Sequence, residues 1–342
     1  MIINDLFKAA TKEGASDLHI IVGKPPILRI DGELKIMDDL PVVTKELGKR
    51  MIFGILTDRQ REKFIKDREL DISYEITEYS RYRVNLHWEK DNVGLVARVI
   101  STTIPSIDDL GLPQIVYDMV ARTSGLILVT GPTGCGKSTT LAAMVEKINQ
   151  TRFAHIITLE DPIEFIHKPA KSIIKQRQLG TDMISFHGAL KHVLRQDPNV
   201  IMVGEMRDLE TMAATITLAE TGHLVLATLH THSAAQTIDR IIDVFPPHQQ
   251  SQVRLQLSIS LTGIISQQLL PKTGGGRIAT REILINTPAI SNIIRENKIP
   301  QIKTVIQTSS EEGMFTMEQD IRSLLDSGQI SENVALAYLS NI

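Results

Sequence analysis

The sequence predicts a doubly wound α/β domain preceded by a smaller α+β domain, and two regimes of hydropathy predict it. Over residues 16–30 and 69–100 apolar residues alternate with polar ones, the period of strands with one face buried. Beyond residue 114 the pattern changes to short, largely apolar runs at 126–129, 155–159, 200–203 and 224–228, alternating with long stretches of helical period. Strands of a parallel sheet are covered on both faces, so such runs are their signature.

Taken in order, residues 1–100 form the first domain. Pro25-Pro26, Asp31-Gly32 and Asp91-Asn92 punctuate its alternating runs as turns, which predicts an antiparallel sheet. Between the runs, Leu47, Met51, Ile52, Ile55 and Leu56 recur at helical spacing, predicting a helix over 45–66. Residues 101–113 hold two prolines, a glycine and Asp108-Asp109, the composition of an exposed hinge. The second domain occupies 114–342, where Gly274-Gly275-Gly276 reads as a flexible turn.

Bulk composition narrows the function classes. A chain of 342 residues is long enough for two cores, and a net charge of -3 provides no global field toward nucleic acid or anionic lipid. One cysteine excludes an intrachain disulfide, and the N-terminal residues lack the charged and apolar regions of a signal peptide, which favours the cytoplasm. No apolar run approaches the roughly 18 residues of a membrane span, so a membrane role requires recruitment by a partner.

The most specific motif is Gly131-Pro132-Thr133-Gly134-Cys135-Gly136-Lys137-Ser138, followed by Thr139. It fits G-x4-G-K-S/T and sits between an apolar run and a helical one, where a phosphate-binding loop belongs. Glycines let backbone N–H groups converge on phosphate, and the helix N-terminus adds positive potential. Lys137 is expected on the β/γ oxygens of ATP and Ser138 on magnesium. Cys135 reads as a small filler of a variable slot.

Three later segments add carboxylates, an acid-ended strand and histidines. Glu160, Asp161 and Glu164 directly follow the 155–159 run, where an acid could orient an attacking water. Asp161-Pro162 also has the form of a helix start. Val200-Ile201-Met202-Val203-Gly204-Glu205 has the layout of a Walker B strand with glycine in the usual aspartate position, so Glu205 becomes the magnesium-side acid, acting through water. His223 and His230 bracket the 224–228 run, with His223 the candidate for a hydrogen bond to phosphate. The i,i+2 spacing of His230 and His232 at a strand end or loop, a single cysteine in the chain and the lack of an H-E-x-x-H helix argue against zinc.

At these residues the chain resembles the secretion-superfamily hexameric ATPases. Residues 159–164 resemble their Asp box, residues 204–208 their atypical Walker B and residues 221–230 their His box, all in the family's order. The likeness extends to Ser16-Asp17-Leu18-His19 and Ile30-Asp31-Gly32, and thus covers nearly the whole chain. A short N-terminal region without a tetracysteine motif resembles the pilus-retraction (PilT-like) branch. Ala289-Ile290-Ser291-Asn292-Ile293-Ile294-Arg295-Glu296 is similar to that branch's A-I-R-N-L-I-R-E element, except that Ser291 replaces the first arginine.

The resemblance implies a RecA-like P-loop domain behind a PAS-like domain, a homo-hexamer that hydrolyses ATP with magnesium, and power for pilus retraction. Glu164 becomes the general base, supported by Glu160 and Asp161. Arg81, Arg83 and Arg98 become arginine fingers from a neighbouring subunit, and period-two alternation places Arg81 and Arg83 on one strand face. Arg195 and Arg207, flanking the Walker B strand, become interface or sensor residues. The implied partner is an inner-membrane platform protein, with a second retraction ATPase left open. Two alternatives fit the same motifs: an assembly ATPase of a pilus or type II secretion-like system, and a regulatory partner of another retraction ATPase. Neither nucleic-acid binding nor direct membrane insertion is expected.

Overall fold

The computed structural model describes residues 2–30, 32–76, 80–100 and 103–340. Asp31 of the first-domain turn, and Ser101 and Thr102 of the hinge, lie outside the described residues. The chain divides into two compact units: Met1–Thr103 with Glu164–Ile166, and Ile104–Ile163 with His167–Ile342.

The first unit runs α1 (Ile3–Lys12), β1 (Asp17–Ile20), β2 (Ile27–Ile30), β3 (Glu33–Ile36), α2 (Lys45–Gly54), α3 (Asp58–Asp67), β4 (Glu69–Ile76), β5 (Ser80–Glu89) and β6 (Asn92–Ile100). Its six strands pair antiparallel in the order β3-β2-β1-β6-β5-β4. Alternation assigns the two faces. Leu18, Tyr82, Val84, Leu86, Leu95 and Ala97 point into a core with Phe7 of α1, Ile52 of α2 and Phe64 of α3, while arginines line the other face. The single helix expected over 45–66 is two. Thr57 opens the second with a capping box, its hydroxyl accepting from Gln60 N–H while Gln60 Oε1 accepts from Thr57 N–H at 3.0 Å.

The second unit runs α4 (Ile115–Ala121), β7 (Gly125–Thr130), α5 (Lys137–Thr151), β8 (His155–Glu160), β9 (Ile173–Gln178), α6 (Phe186–Val193), β10 (Val200–Val203), α7 (Leu209–Glu220), β11 (Leu224–Leu229), α8 (Ala234–Asp243), α9 (Pro247–Ser260), β12 (Leu261–Pro271), β13 (Arg277–Ile285), α10 (Pro288–Arg295), α11 (Ile302–Thr308), α12 (Met317–Asp326) and α13 (Glu332–Leu339). The sheet order is β13-β12-β7-β11-β10-β8-β9, parallel throughout except for the β12–β13 hairpin. Helices cover both faces. Ile127, Val129 and Ile156 pack on α4 and α5, whereas Leu126, Leu128 and Ile157 face the core that α6 to α11 complete. Gly274, Gly275 and Gly276 all have positive φ and turn β12 into β13.

Residues 104–113 mix exposed positions, Ser106, Asp108, Asp109 and Gly111, with two buried anchors. Ile107 and Leu112 are buried in the second unit's core, and Arg281 donates to the carbonyls of Leu110 at 2.7 Å and Gly111 at 3.3 Å. Proline and aspartate content outweighed these apolar positions in the sequence. Among the described residues, no helix is long and apolar enough to cross a membrane.

Candidate nucleotide site

The phosphate-loop motif leaves the carboxyl end of β7, whose six residues are all buried, and enters α5. Gly131, Gly134 and Gly136 have φ of 141°, 78° and 90°, values that side chains other than glycine rarely adopt. Space is equally restrictive at Gly131, where a β-carbon would lie 2.2 Å from the Gln267 carbonyl oxygen and 2.7 Å from Cys135 Sγ. Gln267 of β12, fully buried, straps the loop from below: Nε2 donates to the Cys135 carbonyl at 2.8 Å and Oε1 accepts from the Thr140 hydroxyl at 2.9 Å. Sequence reasoning missed this residue. Its one signal is the polar Ser266-Gln267-Gln268 inside an otherwise apolar run.

Above the strap, Gly134 has no atom within 4 Å of where its β-carbon would stand, and Thr133 and Ser138 are exposed. Pro132 and Thr139 are half-buried beside them. Cys135 is buried, and burial pushes its thiol pKa up against the attraction of Lys137. Lys137 Nζ is held over the loop by the carbonyls of Gly131 at 2.8 Å and Pro132 at 3.0 Å. An open glycine cradle, an ammonium, the N-terminus of α5 and an accessible Ser138 hydroxyl fit a nucleotide polyphosphate with its magnesium ion.

From Lys137 a polar chain crosses the carboxyl edge of the sheet. Nζ lies 3.4 Å from His230 Nδ1, His230 Nε2 lies 2.9 Å from Glu205 Oε1, and Arg207 Nη2 donates to Glu205 Oε2 at 2.8 Å. Arg207 Nη1 also lies 4.0 Å from Asp161 Oδ2. With Nε2–H donating to the carboxylate, the Nδ1 lone pair faces the ammonium, so the ring bridges cation and anion. Burial works against the charge of Glu205, but Arg207 and His230 outweigh it and hold its carboxyl below the ordinary value. The Arg207 guanidinium is in turn shifted up by Glu205, with a smaller contribution from Asp161.

Glycine before Glu205 has a steric reason. Gly204 N–H donates to the Leu159 carbonyl at 2.7 Å, and a β-carbon would sit 3.1 Å from that oxygen and 3.3 Å from Glu160 Cα. The strand therefore approaches β8 so closely that a side chain here requires the backbone of β8 to give by a few tenths of an ångström, and the acid stands one residue on.

Glu160, at the end of β8, is buried; its Oε1 accepts from the Thr158 hydroxyl and, at 3.0 Å, from Gln176 Nε2. Asp161 does not start a helix: the described residues 161–172 run irregularly to β9 across a cis Asp161-Pro162 bond. Glu164, half-buried, belongs to the segment grouped with the first unit.

His223 is not brought to the phosphate loop. It precedes β11 and its carbonyl accepts from Gly125 N–H at the amino end of β7, so the six-residue strand puts it about 20 Å from the loop edge. Its Nδ1 instead lies 3.1 Å from the Leu218 carbonyl. His230, at the carboxyl end of the same strand, takes the position expected of His223. Arg195 likewise lies at the amino end of β10, exposed on the turn before the strand, while Arg207 lies at the carboxyl end.

In the first unit, Arg83 of β5 stands directly opposite Arg98 of β6, and Arg81 opposite Ile100. Asp17 pairs opposite Arg98 on its other side and accepts from Arg98 Nε at 3.0 Å, which offsets the like-charge juxtaposition. Arg81 Nε donates to the Ser73 hydroxyl. Arg83 and Arg98 are exposed and Arg81 half-buried. In the C-terminal element, the Ser291 hydroxyl donates to the Ser258 carbonyl at 2.7 Å, tying α10 to α9.

Residues 1–275 match the family model of type II/IV secretion system proteins. The chain is 45% identical to the type IV pilus retraction ATPase PilT of Pseudomonas aeruginosa over 98% of this chain and 97% of that one. It is 48% identical to a twitching motility protein of Neisseria gonorrhoeae over 92% of this chain and 84% of the other. The structure of the pilus retraction motor PilT with bound ADP superposes with a TM-score of 0.94 at 46% identity, over 98% of this chain and 96% of that one.

Proposed function

The chain belongs to the type II/IV secretion system protein family, and from that premise we propose that it is a magnesium-dependent ATPase motor that powers type IV pilus retraction. The observation that carries this reading is the continuous Lys137–His230–Glu205–Arg207 chain at the mouth of the phosphate loop. It gives the enzyme a cation for the β/γ-phosphates, an acid, and a ring that senses both. The near full-length identity to retraction and twitching-motility proteins supports the task.

Lys137 leaves the Gly131 and Pro132 carbonyls to meet the phosphates. Ser138, and Glu205 through water, would hold magnesium, which when bound neutralises phosphate charge. Glu164 orients the attacking water, with Asp161 and Glu160 in supporting roles. Arg81, Arg83 and Arg98 of a neighbouring copy in a homo-hexamer supply the remaining positive charge, and residues 101–113 act as the hinge between domains 1–100 and 114–342. His223 and Arg195 have no part in this chemistry. The motor works in the cytoplasm, recruited by an inner-membrane platform protein.

Steady-state phosphate release by the full-length protein tests the enzyme. Lys137→Ala is expected to lose at least about 10²-fold in kcat/KM, as removal of a main transition-state cation does; unchanged turnover overturns the assignment. Deleting the gene tests the task. Hyperpiliated, non-twitching cells support retraction, and bald cells indicate assembly instead.

A further inference from the structure

We propose that Gln176 and Gln178 of β9 are positioning residues for ATP cleavage, holding from both ends the turn that carries Glu164. The inference rests on the reading of Glu164 as the base that orients the attacking water. Gln178 Oε1 accepts from the N–H of Ile163, the residue before Glu164, at 3.3 Å. Gln176 Oε1 accepts from the N–H of His167, three residues after it, at 2.9 Å. The two glutamines are alternate residues of one strand and so share a face.

Both anchor points are buried. Ile163 is 5% exposed and His167 6%, with its Nδ1 2.8 Å from Glu146 Oε2 on α5. Asn149 of the same helix continues the tether, donating to the Lys168 carbonyl at 2.8 Å and accepting from Ala170 N–H at 3.0 Å. The stretch from His167 to Ala170, into which the Glu164 turn leads, is thus fixed to the helix that begins at Lys137. Gln176 has a second task, since its Nε2 donates to Glu160 Oε1 at 3.0 Å. One amide therefore sets the spacing between the buried acid at the end of β8 and the far end of the Glu164 turn. A base displaced by about 1 Å loses about 10²-fold in rate, so a buried amide pair that specifies this path acts on turnover without touching substrate.

Gln176 is both acceptor and donor, and its donor faces a carboxylate. Gln176→Glu sets a second carboxylate against Glu160 and is therefore expected to slow turnover.

The test is phosphate release by full-length variants, with ADP stoichiometry as a control for an intact loop. Gln176→Leu is expected to lower kcat about 10-fold or more, with KM for ATP within about threefold. In a Glu164→Gln background the same substitution is expected to cost less than about twofold further, because the positioned group is already gone. If Gln176→Leu slows the Glu164→Gln enzyme by its full factor, its role is general stability and the proposal is overturned. Wild-type turnover by both Gln176→Leu and Gln178→Ala also overturns it, while Glu164→Gln stays inactive and the reading of Glu164 stands. If Glu164→Gln itself turns over normally, the reading of Glu164 falls and the positioning proposal falls with it.

Discussion

His230 Nε2 lies 2.9 Å from Glu205 Oε1, so the histidine that ends β11 and the acid that follows β10 form one hydrogen-bonded unit. Because Nδ1 of the same ring faces Lys137 Nζ, a change at the phosphates felt by the lysine reaches the acid through a single side chain. His230→Ala is expected to cut kcat about 10²-fold, in the range of a removed acid–base or sensing group, while ADP affinity stays within about threefold. Phosphate release and titration with fluorescent ADP check the two halves. A loss confined to affinity would assign the ring to binding alone.

The strap below the loop is a separate matter. Gln267→Leu removes the partners of the buried Cys135 carbonyl and Thr140 hydroxyl, and unsatisfied buried groups cost about 1–3 kcal/mol each. Urea unfolding should report a loss of about 2 kcal/mol or more, with weaker ADP binding as the loop loosens.

Restoring a side chain at residue 204 is expected to destabilise the protein. Gly204→Ala drives a methyl group against backbone atoms of Leu159 and Glu160, which cannot swing away, and overpacking of this kind costs about 1–3 kcal/mol. Gly204→Asp should be worse. Thermal melts of both variants decide it, and an unshifted midpoint would mean that β8 and β10 separate readily.

Acid should weaken the tether at His167. Burial lowers the pKa of this ring from its ordinary 6.5, outweighing the pull of Glu146. The unfolded chain therefore binds more protons than the folded one between the two values, so stability is fully present above about pH 6.5 and falls as pH drops toward the folded value. Nδ1 of the ring faces Glu146 of α5, whose carboxylate also accepts from Asn149 Nδ2 at 3.3 Å, and Gln176 of β9 accepts from the backbone N–H of the same residue as the ring. His167→Gln should flatten the urea-unfolding midpoint between pH 7 and 5.5; an equally steep profile would place the titration elsewhere.

Much of this architecture is legible in the sequence, because the signals are local. The apolar run 126–129, the glycines and Lys137 lie within a dozen residues, β10 is apolar throughout, β11 is interrupted only by Thr228, and β8 keeps Ile156, Ile157 and Leu159 between its polar residues. Ile173-Ile174-Lys175-Gln176-Arg177-Gln178 is an edge strand whose polar content hid it, and with it the tether it provides. The β12 strand begins at Leu261 directly after α9 ends at Ser260, with no loop residue to mark the change. His223 and His230 look equivalent as flanks of one run. Strand direction distinguishes them: in a parallel sheet the carboxyl end meets the ligand edge, and that rule singles out residue 230 as the one beside the phosphate loop. Gln267 needed pairing between β12 and β7, which no local pattern encodes.

Cys135, the one thiol of the chain, is sealed under its own glycine loop with its pKa raised. A maleimide dye applied near neutral pH should pass it by. The wild-type sequence is then a ready background for spectroscopic reporters, since a cysteine introduced on the surface of either unit would be the sole reactive handle for following the motor as it cycles.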